Sequence, residues 1–283
     1  MIRPADTSGG VDTDGTPSTA SDDLLVEARR PGRVRTTAAQ RSEMKLVWWH
    51  EVAIVAAFYF VYSAIRDING TKPVSATTAL ANAKIIISFE RHLDVFVEQH
   101  IQHFFLQSHF AVEVLDVWYG TTHFLVTGAL LLVLFYKFPD RYRIWRDTLA
   151  ILTALALIGF AVFPMMPPRL LPPSYGFVDT LRVVGGLWNF NSGPMNDVSN
   201  QYAAMPSLHF AWALWCGLAL AAMLKKRWAR FLAYCYPAVT VVCVIVTANH
   251  LFTDVAAGGA ITVLGYGGAV GLQSLRSRRY KWS

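Results

Sequence analysis

Hydrophobic residues are gathered into six long runs, separated by polar and basic segments. The runs lie at about 46–65, 114–136, 147–166, 206–224, 230–249 and 253–273. Each run, as a helix, is long enough to cross roughly 30 Å of hydrocarbon. Residues 79–112 are apolar but interrupted by charges and histidines, a pattern that suits amphipathic helices at the interface or packed on the bundle. The pattern predicts an all-α integral membrane protein, a six-helix bundle with amphipathic interfacial helices.

The composition supports a membrane protein. Hydrophobic residues make up 54% of the 283 residues and charged residues 16%, whereas soluble domains carry about 25% charged residues. The formal net charge is +6, but the basic residues lie just outside the apolar runs, where positive charge sets topology and meets anionic lipid. Membrane lipids are therefore expected partners, and nucleic acid is not.

No metal or cofactor is expected. Cys216, Cys235 and Cys243 fall inside apolar runs without C-x-x-C spacing, which is typical of small buried hydrophobic residues. The histidines between 92 and 109 fit no compact ligand set and more readily decorate an interfacial helix. A haem protein would need paired histidines that face each other within the bundle.

The basic segments indicate the topology. Lys and Arg cluster before residue 46, at 137–146, at 225–230 and after 275. In a six-span arrangement all four clusters fall on one side, which the positive-inside rule makes cytoplasmic. We therefore predict a disordered cytoplasmic tail at 1–45, a six-span domain at 46–275 and a basic cytoplasmic C-terminus at 276–283. The long connection at about 167–205 is then extracytoplasmic, and we expect it to cover the active site of a multi-pass cell-membrane protein.

Three polar islands then share the extracytoplasmic side. They contain Arg169, Ser207 with His209, and His250 with Asp254. Ionisable side chains at membrane depth are costly and are functional candidates by default. An arginine, two histidines and an aspartate suggest phosphate chemistry.

The second island resembles an anion site at the start of a helix. Pro206 fits the first turn, and the free N–H groups that follow it can bind phosphate together with the Ser207 hydroxyl. His209 then stands beside the phosphate, where it can protonate a leaving alkoxide.

The other two islands each allow two interpretations. His250 and Asp254 are four residues apart and share a helix face; the carboxylate either orients a nucleophilic imidazole or makes a structural contact. The Arg169 guanidinium suits bidentate phosphate binding, or it extends to the membrane interface. Tyr119 and His123 either line the pocket or pack beside it.

These residues resemble the type-2 phosphatidic-acid phosphatase superfamily, whose members are integral membrane lipid phosphatases. Its central P-S-G-H motif is similar to PSLH at 206–209, and His250 and Asp254 match the ends of its last motif. The resemblance implies that His250 is the phosphorylated nucleophile, Asp254 its partner and His209 the general acid. Arg169 would bind the phosphate as the arginine of the first motif does.

Several positions depart from the family pattern. Val162 replaces the first-motif lysine, Leu170 a proline and Leu208 a glycine, and Cys243 and Val244 stand where the last motif has Ser-Arg. The strings FPMMPPRLL, GFVDT, QYAAMPSLH and TANHLFTD are similar to a divergent branch that includes inositol-phosphorylceramide synthase. That similarity adds further candidate pocket residues, namely Glu90, Glu98, Gln102, Tyr119 and His123.

We therefore expect a phosphatase or phosphotransferase that cleaves a lipid-linked phosphate through a phosphohistidine. One alternative is transfer of a head group between lipids, with an alcohol such as inositol as acceptor. Another is a lipid-binding relative without catalysis, which the missing lysine and arginine favour and the retained His209, His250 and Asp254 oppose.

Overall fold

The computed structural model describes residues 75–183 and 201–279, with five helical positions at 49, 52, 53, 56 and 60. Within these ranges the chain is helical apart from turns and one isolated bridge between Met165 and Ala203. The predicted tail at 1–45 and nearly all of the predicted span at 46–65 lie outside the described residues.

Eight α-helices follow one another in the described ranges. They are α1 (Ala76–His92), α2 (Glu98–Phe105), α3 (His109–Lys137), α4 (Pro139–Val162), α5 (Thr180–Val183), α6 (Leu208–Met223), α7 (Arg227–Val246) and α8 (Phe252–Arg279). Ser75, Ser108 and Ser207 cap α1, α3 and α6, because each hydroxyl oxygen accepts a first-turn N–H. Two 3₁₀ turns, Pro168–Leu170 and Pro173–Tyr175, lie between α4 and α5.

Four helices of the described part are long and apolar enough to cross a membrane, namely α3, α4, α7 and α8. Helix α6 has 16 residues and is therefore about 24 Å long. It contacts all four of the longer helices, and its Trp215 and Cys216 are fully buried. The short helix is thus the centre of the bundle.

The outer faces of the long helices are apolar and exposed. Phe124, Leu125 and Leu132 of α3, Phe231 of α7 and Val263 of α8 are each at least 60% exposed. Exposing so much apolar surface to water on several faces would be unfavourable, whereas lipid chains would cover it. The surface thus supports a membrane protein, as the composition predicted.

Some predicted boundaries shift. Helix α4 begins at Pro139 and ends at Val162, so 163–166 lie beyond the helix that was predicted at 147–166. Helix α8 runs from Phe252 to Arg279 and so extends beyond the helix that was predicted at 253–273. The segment 79–112 forms α1, α2 and the start of α3, and α1 packs on the bundle end through Ala83 and Ile87.

The polar islands lie at one end of the bundle, and the basic segments within the described ranges lie at the other. At the basic end, Arg276 Nη1 donates to Asp147 Oδ2 at 2.7 Å, and Arg141 Nη1 donates to the Ala222 carbonyl. The other end holds the 3₁₀ turn after α4, the start of α6 and the turn between α7 and α8, which carry the three islands.

Candidate active site

A tight turn between α7 and α8 carries His250. The N–H groups of Asn249 and His250 both donate to the Val244 carbonyl, at 3.0 and 3.2 Å. Ala248 makes the reversal with a positive φ of 50°, a conformation that costs energy for a residue with a Cβ. The hydrogen bonds within this turn therefore fix the backbone from which the His250 side chain projects.

The hydrogen bond of the His250 ring assigns its tautomer. Nδ1 lies 2.7 Å from the Ala204 carbonyl oxygen. A carbonyl can only accept, so Nδ1 carries the hydrogen and Nε2 of the neutral ring keeps its lone pair. The side chain is 4% exposed.

Asp254 lies beside the His250 ring without a close hydrogen bond to it. Its Oδ2 is 3.6 Å from His250 Nδ1, because this oxygen also accepts the N–H of Leu251 at 2.8 Å. Asp254 therefore closes the first turn of α8 and places a negative charge beside the imidazole.

Ser207 is the N-cap of α6. Its Oγ accepts the N–H of Phe210 at 3.3 Å, and the first intrahelical bond runs from Ala211 to the Ser207 carbonyl. The N–H groups of Leu208 and His209 precede that bond and are suited to an anion. Pro206 lies before the cap, so the prediction of a proline in the first turn is wrong by two positions.

The His209 ring is held between two side chains of α3. It stacks on Tyr119 with centroids 4.1 Å apart and meets His123 edge-on at 4.2 Å. The His250 ring centroid is 5.9 Å away. The structure thus brings both candidate catalytic histidines together, with Tyr119 and His123 supporting one of them.

Arg169 lies beside the His250 turn and is largely shielded from solvent. Its N–H donates to the Ala248 carbonyl at 2.8 Å, its Nε donates to Asn249 Oδ1 at 3.0 Å, and its Nη1 lies 3.5 Å from Asp179 Oδ2. The side chain is 9% exposed. A snorkelling arginine would reach the surface instead, so the structure favours an arginine fixed next to the nucleophile candidate.

Three of the candidate pocket residues lie beneath the turns and are fully buried, namely Glu90, Glu98 and Gln102. Gln102 Nε2 donates to the carbonyls of Val178 and Val246, at 2.8 and 3.0 Å. This amide therefore ties the connection before α5 to the end of α7.

The two glutamates bind the start of α8. Glu90 Oε1 accepts the N–H of Thr253 at 2.7 Å, and Glu98 Oε1 accepts the N–H of Phe252 at 2.9 Å. Burial raises the pKa of the Glu98 carboxyl to about 7; the Phe252 N–H lowers it in part, and the neighbouring Glu90 adds to the rise.

Sequence reasoning missed four residues. Asn249 and Asp179 hold the Arg169 guanidinium, and the Thr180 hydroxyl donates to Asp116 Oδ1 at 2.8 Å. Asp116 lies within a predicted span, so the rule that singled out the three islands could have found it. The other three lie in strings quoted for the resemblance, but their partners are distant in sequence.

One comparison with known protein families finds a match. A family model described as PAP2 superfamily matches residues 84–268, more than half of the chain. The chain belongs to the PAP2 superfamily. The match covers every candidate residue from Glu90 to Asp254. Members of this superfamily are phosphatases and phosphotransferases that act on phosphate esters.

Two further comparisons, with curated proteins and with solved structures, return no match. In the described part of this PAP2 chain, no group of three His, Cys, Asp or Glu side chains is arranged to hold a metal ion. At the last-motif positions, the Cys243 thiol donates to the Leu115 carbonyl, and Val244 is buried.

Proposed function

We propose that this PAP2 protein is a membrane lipid phosphatase or phosphotransferase that cleaves a lipid-linked phosphate through a phosphohistidine at His250. The arrangement of side chains around His250 is the observation that supports the proposal. The bond from Nδ1 to the Ala204 carbonyl leaves the lone pair on Nε2, while the His209 ring lies 5.9 Å away and Arg169 binds the adjacent Asn249.

In the first step His250 Nε2 attacks phosphorus. A P–N bond forms while the bond from phosphorus to the lipid-side oxygen breaks, and the electron pair leaves with that oxygen. His209 donates the proton that the oxygen needs. Arg169, the Ser207 hydroxyl and the N–H groups at the start of α6 hold the remaining phosphate oxygens.

In the second step the P–N bond breaks. Water or an alcohol attacks phosphorus and gives its proton to His209, which is thereby ready for the next cycle. The phosphorylated imidazole carries positive charge, which the nearby Asp254 carboxylate stabilises. Tyr119 and His123 keep the His209 ring in place.

The acceptor defines the second candidate function. With an alcohol such as inositol as acceptor, or with a head group transferred between lipids, the same intermediate makes a phosphotransferase. The strings similar to inositol-phosphorylceramide synthase support this version. The non-catalytic alternative, a lipid-binding relative, is disfavoured because Arg169 and His250 are fixed by specific bonds in one buried site.

We also propose a cell-membrane location with six spans, both termini cytoplasmic and the site extracytoplasmic. Residues 1–45 and 276–283 are then cytoplasmic, and 46–275 form the membrane domain. The basic residues at the end opposite the site support this orientation.

The test is phosphate release from phospholipids and polyprenyl phosphates in detergent, with and without inositol. His250→Ala should abolish release, while His92→Ala, at an exposed position of α1, should not. Wild-type enzyme incubated with a substrate that is labelled in its phosphate should carry acid-labile, alkali-stable labelled phosphate. His250→Ala should carry none. A new inositol lipid without phosphate release would indicate the transferase, and full activity in His250→Ala would exclude the mechanism.

A further inference from the structure

Two carboxyl groups beneath the His250 turn have no part in the proposed phosphate chemistry. Glu90 comes from α1 and Glu98 from α2, and both are 0% exposed. Each uses one oxygen to accept an N–H of the consecutive residues Phe252 and Thr253. Two separate helices thus support the first turn of α8.

The second carboxyl oxygen of each glutamate bears on the protonation of the pair. Glu90 Oε2 and Glu98 Oε2 are both buried, and neither finds a donor among the residues that the structure describes. The two carboxyls accept the N–H groups of consecutive residues, so they lie close to each other, and the neighbouring Glu90 contributes to the raised pKa of Glu98. Two ionised carboxylates would repel there and leave both oxygens unsatisfied, whereas one proton between them resolves both problems.

We propose that Glu90 and Glu98 share one proton and that the singly protonated pair positions the start of α8, and with it the His250 turn. Both are positioning residues, since they act through the backbone of Phe252 and Thr253. The part that concerns His250 rests on the proposed function; the shared proton does not.

The surroundings of the pair favour the protonated form. Asp254 faces it from α8 and caps Leu251, and His250 lies beyond Asp254. Gln102 follows Glu98 by four residues on α2 and is neutral, and the Arg91 guanidinium lies over the Phe96 and Tyr175 rings. Within the described ranges no cation forms an ion pair with either glutamate, so a proton is the compensating charge.

The pair should make stability depend on pH. The pKa of Glu98 is raised from 4.5 to about 7 by burial, so the folded protein holds a proton that the unfolded chain releases. The stabilising contribution is complete below about 4.5 and is lost as the pH rises through about 7. Melting temperature and activity should both fall across that range.

The test is Glu98→Gln in the full-length protein in detergent, with melting temperature and phosphate release measured against pH. The glutamine oxygen can accept the Phe252 N–H while its amide N–H takes the place of the shared proton. We expect near-wild-type activity at low pH and loss of the decline near pH 7. Glu113→Gln is the matched control, since Glu113 is 52% exposed on α3.

A double variant provides a second test of the shared proton. In Glu90→Gln/Glu98→Gln two amide NH₂ groups face each other without an acceptor, so we expect at least a tenfold loss of activity and a lower melting temperature. If Glu98→Gln does not fold, Glu90→Gln carries the same test with the roles exchanged. A wild-type decline that persists unchanged in the single variants, or a double variant that equals them, would overturn the proposal. Because melting needs no turnover, an inactive wild type would refute the proposed function and leave this test intact.

Discussion

The backbone N–H of Ser207 donates to the backbone carbonyl of Asp254 at 2.9 Å. The N-cap of α6 and the first turn of α8 are therefore joined directly, although 47 positions separate the two residues in the sequence. This contact brings the phosphate-binding candidate Ser207 next to the turn of His250. It also requires the two helices to approach closely at the following turn of α8.

Gly258 allows that approach. A Cβ at this position would lie 2.5 Å from the Ser207 carbonyl oxygen, closer than real contacts permit. Gly258→Ala should push α8 from α6, destabilise the protein by roughly 1–3 kcal/mol and reduce phosphate release. Thermal unfolding in detergent and an activity assay measure both effects.

Gly267→Ala is the matched control for that experiment. It lies on the same helix, and a Cβ there meets nothing within 4 Å. If the two alanine variants melt and react alike, the close contact does not constrain the site.

His209 should matter most when the leaving group is poor. An alkoxide needs a proton as it departs, whereas a nitrophenolate does not. His209→Gln should therefore lose about 10²–10⁴-fold on a lipid alkyl phosphate and much less on p-nitrophenyl phosphate. Steady-state kinetics on both substrates give the comparison.

Tyr119→Phe serves as the control for His209. It keeps the ring that stacks on His209 and should lose similar, small amounts on both substrates. Equal losses for His209→Gln on the two substrates would mean that the histidine only packs in the site.

The sequence predicted the bundle and the convergence of the three islands for physical reasons. Apolar length identifies helices that can cross a membrane, and alternation of their direction brings Arg169, His209 and His250 to one end. The order of the helices along the chain therefore predicts which residues meet at the candidate site. The resemblance added roles to these residues, and the assays above test those roles.

The supporting contacts could not be read in the same way. Glu98 and Phe252 are 154 residues apart, and Gln102 and Val246 are 144 apart. Contacts between residues so far apart leave no periodic pattern in the sequence. Gln102 could therefore be identified as a candidate residue, but its hydrogen bonds to two separate turns could not be predicted. Likewise, nothing local indicates that the Ala204 carbonyl is the nearest acceptor for His250.

Arg169 should not be replaceable by lysine. Its Nε binds Asn249 and its Nη1 approaches Asp179, so the planar fork fixes the charge in one orientation. Arg169→Lys should lower kcat/KM on the order of 10²-fold, mainly through a higher KM. Arg182→Lys, at an exposed position of α5, should leave both constants unchanged; a normal KM in Arg169→Lys would exclude direct phosphate binding.

The bond between Thr180 and Asp116 should anchor α5, and through Asp179 the Arg169 side chain. Thr180→Val removes the hydroxyl that donates to Asp116 Oδ1, and Asp116 Oδ2 already has no partner within the described ranges. A buried carboxylate without its donor costs roughly 1–3 kcal/mol, so the melting temperature should fall and the KM for lipid phosphate should rise.

Thr180→Ser keeps the hydroxyl and should restore both the melting temperature and the KM. Thr180→Val combined with Asp116→Leu removes both polar partners, so it should melt above Thr180→Val alone; a lower melting temperature would mean that Asp116 has another essential contact.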